Sequence, residues 1–378
     1  LGANVGYIHS VQHSVPNQST AANSANLMYF TSSIAPIYPA YVRVVDANGN
    51  VVIKQDDRGH NAYDFGIPSN DYGLNRPFMS TANPLAANQY DVLENGGDQL
   101  NATFTADVNI TSFLKANVTS TVNWGQTNYS NYSNPFYGSK VGVNGEINKQ
   151  STSALRTNNV QTLTYFQDFD RHSVNVMVGH EYYKTTTKFL GAIAQGGFSP
   201  SIPEIDAFAK ISDASSYKSG YNVEGYFGSA QYNYDQKYFA SASFRRDASS
   251  YFAKENRWGN FWSVGGAWLI SKENFMQSSA SWLNMLKLKF SVGQQGNDNI
   301  GAYAYTDLYD LVPTGSTSMG ATFKRMGNPD ITWETTTNYN LGVEFSLWEG
   351  RLSGNVDYYV KKTSDLLFWQ HAIFFLLQ

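Results

Sequence analysis

The sequence predicts an all-β protein of antiparallel strands, and three observations predict it. Apolar and polar side chains alternate residue by residue along many segments, aromatic residues are abundant, and tight turns alternate with long polar connections. A period of two places successive side chains on opposite faces of a sheet. Tyr238, Ala240, Ala242 and Phe244 fall on one face, with Ser241, Ser243 and Arg245 on the other. Trp262, Val264, Gly266 and Trp268 repeat the pattern against Ser263, Gly265 and Ala267. Such a sheet suits a soluble sandwich whose core is the apolar face. It equally suits a transmembrane barrel whose apolar face meets lipid and whose polar face lines a lumen.

Taken in order, the segments give about eleven candidate strands. Residues 3–11 form the least regular. A pair follows at 101–110 and 113–124, where Leu114, Ala116, Val118, Val122 and Trp124 alternate with Lys115, Asn117, Thr119, Thr121 and Asn123. The next pair, 154–167 and 172–186, turns at Asp168–Arg171, with Val174, Val176 and Val178 on one face. Segments 221–234 and 237–250 turn at Asp235-Gln236, and single strands follow at 257–270 and 284–293. The last pair is the most regular. Tyr339, Leu341, Val343, Phe345 and Leu347 lead to a turn at Glu349-Gly350, after which Leu352, Val356, Tyr358 and Val360 share a face. Region 36–98 reads as an elaborate surface loop, with a small hairpin of Tyr41–Val45 and Val51–Lys54 over Asn48-Gly49.

Loop lengths favour the barrel. Tight turns sit near 111, 169, 235 and 349, whereas 125–153, 187–220 and 294–335 read as long connections. Compact soluble domains rarely hold several structureless loops of that length, but outer-membrane barrels pair short turns on one side with long loops on the other. The strands exceed the roughly 9–11 residues needed to cross at a tilt, so they should extend beyond the bilayer.

Composition agrees. The 378 residues include 26 Tyr, 23 Phe and 8 Trp, whose amphipathic rings suit a membrane interface. A mean hydropathy of -0.38 fits a barrel in which only alternate strand residues are apolar. No run of about 18 apolar residues offers a transmembrane helix. With no cysteine there are no disulfides or thiolate metal sites, and a net charge of -4 without a basic run argues against nucleic acid. The chain starts at Leu1 with no leader pattern, as expected of a piece of a longer protein.

An ordered series of motifs between about 221 and 367 resembles one known family. It comprises Arg245-Arg246-Asp247-Ala248-Ser249-Ser250, Asn256-Arg257-Trp258-Gly259, Ser271-Lys272-Glu273-Asn274-Phe275-Met276 and Trp282-Leu283-Asn284. It continues through Gly327-Asn328-Pro329-Asp330-Ile331-Thr332-Trp333-Glu334 and Asp357-Tyr358-Tyr359-Val360-Lys361-Lys362-Thr363. These resemble the SusC/RagA-type TonB-dependent outer-membrane transporters of Bacteroidetes; before residue 100 the likeness is one of general style only. The resemblance implies a barrel of ~22 strands filled by an N-terminal plug. On that expectation, residues 1–378 are part of one barrel domain, with plug, signal peptide and remaining strands absent. It also implies import of oligosaccharides, or in some members peptides, with a SusD-like surface lipoprotein. Coupling to TonB-ExbB-ExbD would run through the absent N-terminal region, in the outer membrane of a Gram-negative cell. The apolar tail from Phe368 to Gln378 departs from the family, which continues into a polar loop and further strands.

Candidate sites are few. His9 and His13 lack further metal ligands nearby. Asp46-Ala47-Asn48-Gly49-Asn50 has its glycine too early and no closing glutamate for a calcium loop, so a turn is expected. Gly293-Gln294-Gln295-Gly296 lacks the lysine and helix of a phosphate cradle. No nucleophile elbow or glycosidase carboxylate pair is present, so no enzyme activity, cofactor or metal is expected. Trp258, Arg245 and Arg246 are the candidates for substrate contact, Trp258 as a sugar-stacking platform. Asp247, Arg257, Gly259, Gly327, Asn328, Pro329, Trp333 and Glu334 are expected to set loop and strand geometry. Two other functions suit the same residues: a passive porin-like channel or structural surface barrel, and a secreted carbohydrate-binding β-sandwich.

Overall fold

The computed structural model describes residues 1–14, 27–55, 59–66, 76, 83–136 and 140–368. Its elements are β1 (Gly2–Ser14), α1 (Leu27–Ser33), β2 (Arg43–Val45), β3 (Val51–Ile53), α2 (Pro84–Tyr90), β4 (Val92–Asn109), β5 (Leu114–Ser133) and β6 (Glu146–Phe169). They continue with β7 (His172–Gly197), β8 (Phe208–Tyr234), β9 (Tyr238–Ser249), β10 (Trp258–Leu269), β11 (Leu283–Asn297), β12 (Leu308–Pro313), β13 (Met319–Arg325), β14 (Glu334–Leu347) and β15 (Leu352–Ser364).

Eleven strands form one sheet in the order β1-β4-β5-β6-β7-β8-β9-β10-β11-β14-β15, antiparallel throughout. The sheet stays open between β1 and β15, as part of a larger barrel would. Register carries the apolar rows from strand to strand. Val176 faces Ala230, Ala230 faces Ala242, Ala242 faces Val264, and Val264 faces Val292. Val292 faces Tyr339, which faces Val360. One face of the sheet is therefore apolar across the molecule, and the opposite face presents Ser, Thr, Asn and Gln.

The polar face is the concave one, because residues from β7 through β15 line a single cavity on it. Among the described residues nothing packs across the apolar face: Leu341 is 52% exposed and Trp262 40%. That overturns the sandwich reading, since a sandwich would bury this face against a second sheet. Aromatic rings cluster at the short-turn end of the apolar face, with Tyr234, Tyr238 and Trp268 stacked in sequence at 6.2 and 6.4 Å. Their tips are anchored: the Tyr238 hydroxyl and Trp268 Nε1 both donate to Glu273. At the other end, Tyr226 and Trp258 stack at 6.3 Å.

Two of the three expected long connections are mostly strand. β5 runs on to Ser133 before β6 starts at Glu146, and β7 runs on to Gly197 before β8 starts at Phe208. The third, after β11, contains the β12–β13 hairpin. The physical reason is solvation. Beyond the bilayer both faces of a strand meet water, so the apolar alternation vanishes while β-compatible Thr, Tyr and Ser keep the ladder going. Short turns fall where expected. Asp235 and Gln236 both take left-handed backbone conformations (φ 51° and 53°), the two-residue geometry that fits the twist of a hairpin.

Region 36–98 is less irregular than the sequence suggests. The hairpin over Asn48-Gly49 is present as β2 and β3. α2 is capped by Asn83, whose side chain accepts from the amides of Leu85 and Ala86, and Pro84 sits where the first turn needs no N–H donor. Its Ala86 and Ala87 bury against Tyr63, Phe65 and Tyr90. The tail beyond Phe368 lies outside the described residues.

Candidate functional site

The inner wall offers a cavity of about 590 Å³ near the short-turn end. Asn175, Gln231, Asn233, Ser241, Ser291 and Asn340 supply amides and hydroxyls around the ring of Phe239. The cavity contains one lysine, and its charge is compensated. Lys289 Nζ donates to Glu344 Oε1 at 2.8 Å and lies 3.4 Å from Asp357 Oδ1. Gly342 makes that grouping possible, because a Cβ there would sit 2.1 Å from the Asp357 carboxylate. The wall can therefore hydrogen-bond a polar solute without presenting a net positive site.

Toward the long-loop end the three substrate-contact candidates divide between the two faces. Arg245 points inward and is held by carboxylates: its Nε donates to Asp247 at 2.8 Å and its Nη2 to Glu181 at 2.7 Å. It also lies over the Phe227 ring at 5.3 Å. Asp247 is buried, and Gly225 leaves the room for it. With two carboxylates on one guanidinium, the group is structural in geometry and carries a net negative charge. Arg246 points outward, over the Trp258 ring at 5.1 Å, and Trp258 shares that outer face with Tyr226. Trp258 thus stands in the interfacial ring of the outer wall, away from the inner cavity.

The motif residues strap a loop over the inner rim. Trp333 Nε1 donates to the Arg257 carbonyl at 2.8 Å, and its ring meets Phe252 and Phe261 edge-on at 5.4 and 5.3 Å. Ile300 and Ala304 complete this small core. Gly259 is required by close approach, since a Cβ there would sit 2.8 Å from the Trp333 ring. Gly327 is tighter still, with its would-be Cβ 2.2 Å from the Thr306 backbone. The amide of Asn328 donates to the Ala304 carbonyl, and Asn256 Nδ2 donates to the Pro329 carbonyl, both at 3.0 Å. Glu334 accepts from Asn297 Nδ2 and from the Leu367 amide.

Sequence reasoning missed the residue that roots this loop. Asp298 Oδ2 accepts from both Tyr221 and Ser249 hydroxyls at 2.6 Å, joining three segments far apart in the chain. No local pattern could have signalled that convergence. The remaining candidates behave as ordinary polar groups. His9 and His13 stand on β1 opposite Asp98 and Glu94, and no cluster of three metal-capable side chains occurs among the described residues. Asp46 closes a turn on itself: its Oδ1 accepts the amides of Asn50 and Asn48, which hold its carboxyl below the usual range.

Comparison with known proteins follows the same lines. A family profile described as TonB dependent receptor-like, beta-barrel matches residues 45–374. TonB-dependent receptor P3 of Formosa agariphila is 29% identical over 315 residues, which is 81% of this chain and 31% of that protein. TonB-dependent receptor SusC of Bacteroides thetaiotaomicron is 36% identical over 166 residues, 42% of this chain and 16% of that protein. Among solved structures, that of the RagAB peptide transporter superposes with a TM-score of 0.71 at 26% identity, over 81% of this chain and 34% of its own. The chain therefore spans about a third or less of the length of these relatives.

Proposed function

The chain belongs to the TonB dependent receptor-like β-barrel family, and on that premise we propose that it supplies half the wall of an energy-coupled importer of oligosaccharides. The family is one of outer-membrane receptors and transporters, of the SusC/RagA type here, and is not an enzyme family. In the proposed cycle, cargo is captured at the outer mouth with a SusD-like lipoprotein. Force transmitted by TonB displaces a plug, and cargo then passes along the polar inner wall. This chain's part is to line that path and to carry the rim loop.

One observation supports an oligosaccharide over a peptide as cargo. The inner cavity is lined by amides and hydroxyls together with Phe239, Phe290 and Tyr232, and its lysine is neutralised by two carboxylates. Neutral polyhydroxy cargo matches that wall, where Lys289 is paired with carboxylates and Lys287 lies over the Phe239 ring at 5.4 Å. The RagAB protein is titled a peptide transporter, so peptide is the competing cargo.

Deleting the full-length gene, and separately the gene for TonB, tests the reading by uptake of labelled oligosaccharides and peptides. Both deletions should abolish oligosaccharide uptake, and deletion of the receptor gene should spare peptide uptake. Uptake that persists without TonB would instead indicate a passive channel.

A further inference from the structure

The outer face of β7 and β8 changes character above the interfacial ring. Along β7 the outward residues run Val174, Val176 and Val178, then His180 and Tyr182, then Lys184 and Lys188. His172 to Tyr182 covers about eleven residues, the length of one tilted crossing. Lys184 therefore emerges at the headgroup level, and Lys188 stands roughly 13 Å further along the strand. Across the ladder, Lys188 is paired directly with Lys218 of β8. Two lysines in cross-strand register on one face repel each other, and such pairs disfavour a sheet unless something neutralises them.

Nothing among the described residues does so. All three lysines are exposed and none makes an ion pair among the described residues. The outward residues around them are Thr186 and Leu190 on β7, with Ser216, Gly220 and Asn222 on β8. The nearest outward carboxylate, Glu224, is already engaged by His180 and the Tyr226 hydroxyl. The next outward lysine, Lys149 on β6, is paired with Glu204. The contrast is specific: neighbouring cations have partners, and these three do not.

We propose that Lys184, Lys188 and Lys218 form a binding site for the phosphorylated headgroup of the outer-leaflet glycolipid. The patch is continuous with the lipid-facing wall, so a molecule whose acyl chains lie on the upper half of the crossing, from Val178 to Tyr182, places its headgroup under the lysines. Lysine stems lie along the wall while their ammonium groups reach outward, which suits a diffuse array of phosphates. Ser216, Thr186 and Asn222 add neutral hydrogen-bonding groups for the sugar. The occupant would neutralise the Lys188–Lys218 pair and stiffen the strand extensions that carry the outer loops. This site rests on the apolar face meeting lipid, and is independent of what the barrel imports.

The test uses the full-length protein purified from membranes in mild detergent, with phosphorylated glycolipid per barrel counted by mass spectrometry. The triple variant K184Q/K188Q/K218Q should retain about tenfold less glycolipid than wild type. A variant with equal charge loss elsewhere, K54Q/K254Q/K324Q, should retain the wild-type amount. Added diphosphoryl lipid A should raise the wild-type unfolding midpoint, and dephosphorylated lipid A should not. Equal retention by the two triple variants, or equal stabilisation by dephosphorylated lipid, would overturn the site. Unchanged glycolipid with loss of a co-purifying surface lipoprotein would also overturn it, assigning the lysines to an acidic protein. Wild type that fails to enter the membrane fraction would count against the lipid-facing wall itself, a result distinguishable from all of these.

Discussion

Trp333 does the work of several residues at once. Its indole N–H holds the Arg257 carbonyl while its ring closes the gap between Phe252 and Phe261. Replacing it with alanine removes both, and for a buried tryptophan the loss is about 3 kcal/mol or more. Trp333→Ala should free the loop 298–333 from the rim, read as new protease cleavage between β11 and β14 in the folded barrel. Gly327→Ala should do the same by steric conflict with Thr306. The turn at Asp235-Gln236 allows a change of opposite sign. Gln236 holds a left-handed backbone that glycine adopts without strain, so Gln236→Gly should stabilise the β8–β9 hairpin by roughly 1 kcal/mol, measured by chemical denaturation. These roles were only partly visible in the sequence. Trp333 and Gly327 stood out as motif members, but of the partners that give them meaning, Thr306 lies in a segment without any pattern, and alternation along 257–270 does not say what Phe261 meets. The inward or outward sense of Arg245 and Arg246 follows from alternation. That Trp258 keeps the parity of Trp262 and Trp268 was equally readable, since the expected strand 257–270 contains all three.

Elements were most legible where they cross the membrane. There one face must be apolar, and the period-two signal placed every strand of the eleven-stranded sheet within its observed bounds or close to them. The signal fails above the bilayer. β6, for instance, begins at Glu146 with Asn148, Lys149, Gln150 and Ser151, a polar run that alternation cannot mark as strand. The β12–β13 hairpin was hidden for the same reason. Face dictates tolerance within these elements. Leu341→Arg, on the outward row, should cost roughly 2–4 kcal/mol in lipid vesicles, whereas Ser291→Arg on the inner wall should cost far less. Reversible urea unfolding of the full-length barrel would compare the two. A smaller effect belongs to the β2–β3 hairpin. Because the amides of Asn50 and Asn48 hold the pKa of Asp46 below its unfolded value, the turn is stabilised above about pH 4 and should loosen as pH falls below that. Hydrogen exchange of the Asn48 and Asn50 amides across that range reports it.

At the scale of the molecule, the open edges are informative. With eleven antiparallel strands in sequence, β1 and β15 run in the same direction. An all-antiparallel barrel can then close only through an odd number of further strands, because an even number would force one parallel seam. A second copy sharing the barrel axis would supply an odd number, eleven, but would set β15 of one copy parallel to β1 of the other, so two copies do not close an all-antiparallel barrel. Each edge is 13 residues long. Such unpaired edges template aggregation, so this segment expressed without its remaining strands should aggregate and fail to insert. The account therefore treats these residues as a wall that is complete only within its barrel, polar within and apolar without.

Accessibility along β14 tests that claim most directly. The segment has no native cysteine, so single cysteines at Asn338, Asn340, Leu341 and Val343 can carry spin labels in the reconstituted full-length barrel. Alternation is expected: labels at Leu341 and Val343 relaxed by oxygen dissolved in lipid, and labels at Asn338 and Asn340 relaxed by a water-soluble nickel complex. Labels at Leu341 and Val343 that both reagents fail to reach would mean a dry protein interior there, and would contradict the account.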